Sequence, residues 1–200
     1  MTKIPGRTLP LALLLLFGTA VSANAQQTAA APQPGTAPPL PFDYIGLVAN
    51  MGGPGPGTWE LKVHADEFTP ADEVKQLVEL GRQGGQDAVQ KALWKMKSRG
   101  FIKIGNSLGY QVPVIRWRAL PNGNTQLTFL TDRPIQFVEF FNGTRSLDYI
   151  FGMVVIELDA KGSGSGQIYG AMKATFDPSG RVDLDSFGTK PYKVINVKKL

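Results

Sequence analysis

The chain of 200 residues contains no cysteine and a single histidine, His64. The absence of cysteine excludes disulfide bonds, a thiol nucleophile, a thiolate metal site and a lipidated N-terminal cysteine. A metal site would have to be built from carboxylates of several segments, because no second histidine is available. We therefore expect no metal, and no stretch of the sequence indicates a cofactor.

Long apolar runs are also absent. The longest, Leu9 to Phe17, is too short to cross a bilayer as a helix. Basic residues precede it and the small-residue sequence Ala23-Asn24-Ala25 follows it, which is the pattern of a secretory signal peptide. Residues 1–25 are therefore predicted to be a signal peptide, with no membrane span in the mature chain. Export without disulfides favours a periplasmic or extracellular location in a bacterium.

The excess of positive charge is small. The formal net charge is +5, and removal of Lys3 and Arg7 with the leader lowers it to about +3. Basic residues are scattered rather than clustered, so a nucleic-acid partner is not expected. The partner is unknown from the sequence, and the two kinds considered are a small ligand and another envelope protein.

Proline, alanine and glycine dominate residues 26–57, which are predicted to form a linker with one short strand near residues 42–48. Residues 58–200 are predicted to form one globular, β-rich domain. Strand Trp59 to Asp66 shows the alternation of apolar and polar residues that is typical of a half-buried strand.

A helical stretch follows that strand. Thr69 is placed as an N-cap and Pro70 at the first helical position, where its missing N–H costs nothing. The pair Gly84-Gly85 is interpreted as a helix stop. We therefore predict two helices, near residues 70–82 and 86–99, that form a hairpin.

Strand and turn patterns alternate from Gly100 to the C-terminus. The connections are too short for parallel crossovers, so the sheet should be antiparallel. The predicted fold is α+β and β-rich: an antiparallel up-and-down sheet of about nine strands, closed as a barrel or split into a sandwich, with a two-helix hairpin inserted after the first strand. Trp117 is expected on an inward face with Ile115.

Candidate ligand-binding residues are of two kinds. Arginines could hold a carboxylate or phosphate, or could pair with nearby acidic residues instead; they are Arg116, Arg118, Arg133 and Arg145. Small or flexible residues of one strand could form the floor of a cavity beneath the helices. In that strand Gly170 and Met172 alternate with polar residues, as do Ile168 and Ala174 on the same expected face.

Catalytic residues are few. His64, with Asp66 two positions along the strand, has the arrangement of a general base oriented by a carboxylate, but also that of a surface histidine. The Gly-Ser-Gly-Ser-Gly sequence at 162–166 matches a nucleophile elbow in letters only, because it joins two strands. No catalytic residue is assigned; whether the chain is an enzyme stays open, and a non-catalytic role is favoured.

The predicted order of elements over residues 58–198 is similar to that of the small intracellular lipid-binding barrels, in which a helical pair closes the mouth of a barrel. The resemblance implies a module that binds a small apolar ligand, and the arginines extend this to an acidic one. The alternative is a structural or protein-interaction module of the bacterial envelope without a catalytic role.

Overall fold

A computed structural model describes residues 35–49, 58–135, 148–177, 181–186 and 191–200. The predicted signal peptide, Arg145 and residues 136–147 of the stretch of strand and turn patterns after Gly100 lie outside the described residues. The described part of the chain contains no helix with the length and hydropathy that a membrane crossing requires.

One helix and ten strands make up the described fold. In chain order they are β1 (Phe42–Ala49), β2 (Trp59–Ala65), α1 (Ala71–Leu93), β3 (Gly100–Ile104), β4 (Tyr110–Gln111), β5 (Val114–Ala119), β6 (Thr125–Thr131), β7 (Phe151–Leu158), β8 (Gly164–Phe176), β9 (Val182–Ser186) and β10 (Tyr192–Lys199).

The strands form one antiparallel sheet in the order β4-β3-β2-β1-β10-β8-β7-β6-β5, with β9 paired to β8. Strands β1 to β4 and β5 to β8 follow the predicted up-and-down order. The last strand joins these two groups, because β10 lies between β1 and β8. The segment predicted as one short strand within a linker is β1, in the middle of the sheet.

The sheet curls into a half-barrel. Strands β1 and β6 are four positions apart, which in a flat sheet would separate them by about 19 Å. Yet the rings of Phe42 on β1 and Phe129 on β6 lie 6.4 Å apart, edge to face. Both residues are fully buried, so the concave side is filled by the main hydrophobic core.

The predicted two-helix hairpin is wrong. Residues 71–93 form one helical element, interrupted at Gly85, whose φ of 67° and ψ of −168° are open to glycine and costly for other residues. The chain does not turn back there because both halves pack on the sheet, through Leu77 before the interruption and Val89 and Leu93 after it. Gln86 holds the second half by accepting from the Ala174 N–H and donating to the Asp148 carbonyl.

Helix α1 lies on the convex side of the sheet. Its core neighbours include Val114 and Met153, which are adjacent in sequence to Ile115 and Val154 of the concave core. Because successive strand residues point to opposite faces, Val114 and Met153 lie on the convex side, and the helix packs there. A bulge between β7 and β8 moves Met172 to the convex side, opposite Phe151, whereas Ile168 stays in the concave core. The alternation of residues 168 to 174 therefore does not define one face.

The start of α1 is fixed by contacts to β5 rather than by a side-chain cap. The N-cap position is Pro70, and Thr69 uses its hydroxyl to accept from the Ile115 N–H at 2.9 Å. Arg99 is buried and donates both Nη2 hydrogen bonds to the Glu73 carboxylate, at 2.8 and 2.9 Å. These contacts attach the first turn of the helix to the sheet.

Candidate ligand-binding site

A cleft of about 390 Å³ opens at one end of the half-barrel. One wall is a chain segment of residues 35–39, here called the strap, and the opposite wall is the β7–β8 turn at residues 159–162. Tyr44 of β1 and Lys199 of β10 lie between the two walls, where they are directly paired across the strands. The volume falls within the range of small-molecule sites, near its lower end.

The strap is held against the start of β6. The Thr125 hydroxyl donates to the Thr36 carbonyl at 2.9 Å. A Cβ on Gly35 would lie 2.4 Å from the Asn124 carbonyl oxygen, so only glycine permits this close approach. The strap therefore lies across the end of the half-barrel rather than extending away from it.

The opposite wall is a turn ordered by Asp159. Its Oδ1 accepts from the N–H groups of Lys161 and Ser163, at 2.8 and 2.9 Å, as an Asx turn does. Gly162 has a φ of 75°, which a side chain would make costly. Because the Asp159 carboxylate accepts these backbone hydrogen bonds, it does not form an ion pair with Lys161, which lines the cleft.

Tyr44 contributes a hydroxyl to the cleft. The residue is 4% exposed, and its ring packs edge to face on Phe42 in the concave core. Within the described residues its hydroxyl has no hydrogen-bond partner and is not enclosed by protein, so it is open to the cleft. Burial raises the pKa of Tyr44, so the phenol stays protonated and can donate to a bound group.

Positive charge dominates the cleft. Lys161 and Lys199 both line it, and neither forms an ion pair within the part of the chain that the structure describes. Two free ammonium groups and a phenol that can donate make a set of groups that suits an anionic partner.

The predicted arginines are occupied by contacts within the protein. Arg116 donates to the Thr69 carbonyl at 2.7 Å, and Arg118 donates to the Gln126 side chain at 2.8 Å. Arg133 lies over the Tyr110 ring, 5.4 Å from its centroid. These three are not among the residues that line the cleft, and Arg145 lies outside the described residues.

The two predicted floor residues also lie away from the cleft. Met172 is buried beneath α1 in the convex core. Gly170 is buried, and its carbonyl accepts from the Ile135 N–H at 2.7 Å. No sequence pattern pointed to Tyr44, Lys161 and Lys199 as a group, because they come from a stretch assigned to a linker, a Gly/Ser turn and a basic tail. Only the pairing of β1 with β10 brings them together.

His64 lies between two carboxylates. Its Nδ1 is 2.9 Å from Asp43 Oδ1, its Nε2 is 3.0 Å from Asp66 Oδ1, and its ring stacks on Phe101. Burial, the largest single effect, lowers the pKa of His64, but the hydrogen bonds and charges of Asp66 and Asp43 together raise it above its ordinary value. In the protonated ring both nitrogens donate to these carboxylates, so the arrangement stabilises the imidazolium.

No group of three or more His, Asp or Glu side chains in the described ranges is arranged to hold a metal ion. No protein-family model, curated protein or solved structure matches the chain. The similarity in element order to the lipid-binding barrels depended on a helix pair that is not present. The function must therefore be argued from the cleft itself.

Proposed function

We propose that the protein is an exported binding module for a small acidic ligand, which it holds in the cleft beneath the strap. The observation that carries the proposal is that the Tyr44 hydroxyl and the Lys161 and Lys199 ammonium groups line one cleft, and none of them has a hydrogen-bond or ion-pair partner among the described residues. A bound anion would accept a hydrogen bond from the phenol and pair with both ammonium groups, and such charge-assisted contacts are the strong ones.

The proposed ligand carries a carboxylate or phosphate group. This group accepts a hydrogen bond from the Tyr44 phenol and pairs with the ammonium groups of Lys161 and Lys199. The apolar part of the ligand contacts Ala37 and Leu158, which also line the cleft. A cleft of about 390 Å³ restricts the ligand to a small molecule.

The alternative, a structural or interaction module of the envelope, is supported by the filled concave side. Phe42, Phe129 and Leu127 are fully buried there, where a lipid-binding barrel would leave space for its ligand. The cleft at the end of the half-barrel is what favours ligand binding over this alternative.

The test is a thermal-shift screen of small mono- and dicarboxylates, inorganic phosphate and sugar phosphates. A ligand that binds only the folded state raises the Tm. The double substitution Lys161→Gln/Lys199→Gln should abolish the shift. Tyr44→Phe should weaken binding about tenfold, the usual effect of one lost hydrogen bond. Lys91→Gln/Lys95→Gln, an equal charge change near the end of α1, is the matched control and should bind normally.

Two results would contradict the proposal. One is the absence of any Tm shift with every acidic compound, which would move the envelope-interaction module to first place. The other is a shift that the Lys161→Gln/Lys199→Gln variant retains in full, because the anion would then bind elsewhere.

A further inference from the structure

The convex surface of strands β10, β1, β2 and β3 differs from the surface that α1 covers. Helix α1 shares a core with β5 to β9, and residues of β1, β2, β3 and β10 are absent from that core as the structure describes it. The surface that α1 leaves uncovered, here called the basic face, is formed by Ile45, Leu47, Lys62, Lys103, Ile195 and Lys198.

Strand register places these residues side by side. Ile45 pairs with Lys198 on one neighbour and with Lys62 on the other, and Lys62 in turn pairs with Lys103. One row across four strands therefore contains three lysines and an isoleucine. Leu47 pairs with Ile195 in the next row.

A bulge in β10 makes this arrangement. The register shifts between the pairs of Ile45 and Leu47, and Asn196 takes a φ of 54°. With the extra residue, Val194 and Val197 both reach the concave core, and Ile195 and Lys198 both reach the convex side. Strict alternation would have sent Lys198 inward with Val194.

Positive charge on the basic face is poorly compensated. Lys62 is 3.2 Å from Glu60, but Lys103 and Lys198 form no ion pair within the described ranges. The nearby carboxylates of Asp43 and Asp66 are engaged by His64. Like charges placed opposite each other on neighbouring strands repel, as Lys62 and Lys103 do, and a polyanionic surface laid over them would relieve that repulsion.

Apolar side chains lie between the lysines. Ile195 is 40% exposed, and Ile45 and Leu47 are half-buried. Lysine stems can lie along such a surface while their ammonium groups reach outward. Apolar contact at the centre with cations around it suits the interface of an anionic bilayer, which offers acyl chains beneath charged headgroups. A nucleic acid offers the charge without the apolar layer.

We propose that the basic face binds the surface of membranes that contain anionic phospholipid. The protein would lie on the bilayer through β10, β1, β2 and β3, with α1 on another part of the convex surface. This inference is independent of the ligand cleft, since neither Lys161 nor Tyr44 belongs to the basic face.

The experiment is co-sedimentation of the chain, recovered after expression with its own leader, with phospholipid vesicles. We expect binding to vesicles of phosphatidylglycerol and phosphatidylcholine, little binding to phosphatidylcholine alone, and a marked loss at high salt. Lys103→Glu/Lys198→Glu should weaken binding roughly tenfold or more. The control Lys91→Glu/Lys95→Glu makes the same change in net charge near the end of α1 and should bind like the wild type.

Ile195→Ser gives a second test that leaves the charge unchanged, and it should also weaken vesicle binding. Circular dichroism checks that each variant is folded. The proposal is overturned if the wild type does not bind anionic vesicles at low salt, or if the α1 control loses as much binding as the basic-face variant. Equal or tighter binding to duplex DNA, with the same dependence on Lys103 and Lys198, would also overturn the membrane assignment.

Discussion

Substitution of Trp117 by alanine tests how the half-barrel ends at β5. Trp117 shares the concave side with Ile115, but Ile115 is fully buried whereas Trp117 is 37% exposed. The reason is the position of β5 at the edge of the sheet. Thr69 covers that edge beside Ile115, and among the described residues the one aromatic ring packed near Trp117 is Phe68, with ring centroids 6.5 Å apart.

The magnitude follows from this burial. Replacing a fully buried large aromatic residue by alanine costs roughly 3–5 kcal/mol. About two thirds of Trp117 is buried, so Trp117→Ala should lower the free energy of unfolding by roughly 2–3 kcal/mol. Phe129→Ala, at a fully buried position of the neighbouring strand, should cost the whole 3–5 kcal/mol.

Urea unfolding followed by far-UV circular dichroism measures both values, with unchanged m-values as the sign that two-state behaviour persists. Leu108→Ala, at a position that is 107% exposed, is the control and should change stability by less than about 0.5 kcal/mol. If Trp117→Ala costs as much as Phe129→Ala, something covers the β5 edge. If it costs nothing, the concave side does not include Trp117.

Two further predictions concern His64 and the N-terminus. His64→Gln should destabilise the protein by roughly 1 kcal/mol at about pH 5. Because the pKa of His64 is raised in the folded state, its stabilisation is complete below the unfolded-state pKa of about 6.5. The difference in stability between His64→Gln and the wild type should therefore vanish as the pH rises through the folded-state pKa. A pH-independent difference in urea midpoints would contradict this. The exported protein should begin at Gln26, and an intact mass that retains residues 1–25 would rule out cleavage after Ala25.

Local patterns in the sequence were sufficient to predict most strands. Alternation predicted the strand at Trp59 to Asp66, and the structure has β2 at Trp59–Ala65. Short connections predicted antiparallel pairing, because no crossover could fit between neighbouring strands. These features depend on residues close together in the chain, so a single sequence contains the information that determines them.

The interruption at Gly85 shows where local rules fail. Two consecutive glycines usually end a helix, and the hairpin was predicted on that basis. The helical element continues because Leu77 and Leu93, on either side, pack into one core with β7 and β8. Gly81 contributes to this packing, since a Cβ there would lie 2.3 Å from the Phe176 ring. The stabilisation comes from residues far away in sequence.

The candidate site was determined by tertiary structure alone. Tyr44 and Lys199 are far apart in the sequence and become neighbours only when β10 inserts between β1 and β8. The predicted arginines had the right chemistry for an anion, but their hydrogen bonds inside the protein were not encoded in spacing. Bulges in β8 and β10 also changed which residues share a face, because one extra residue reverses every later side chain.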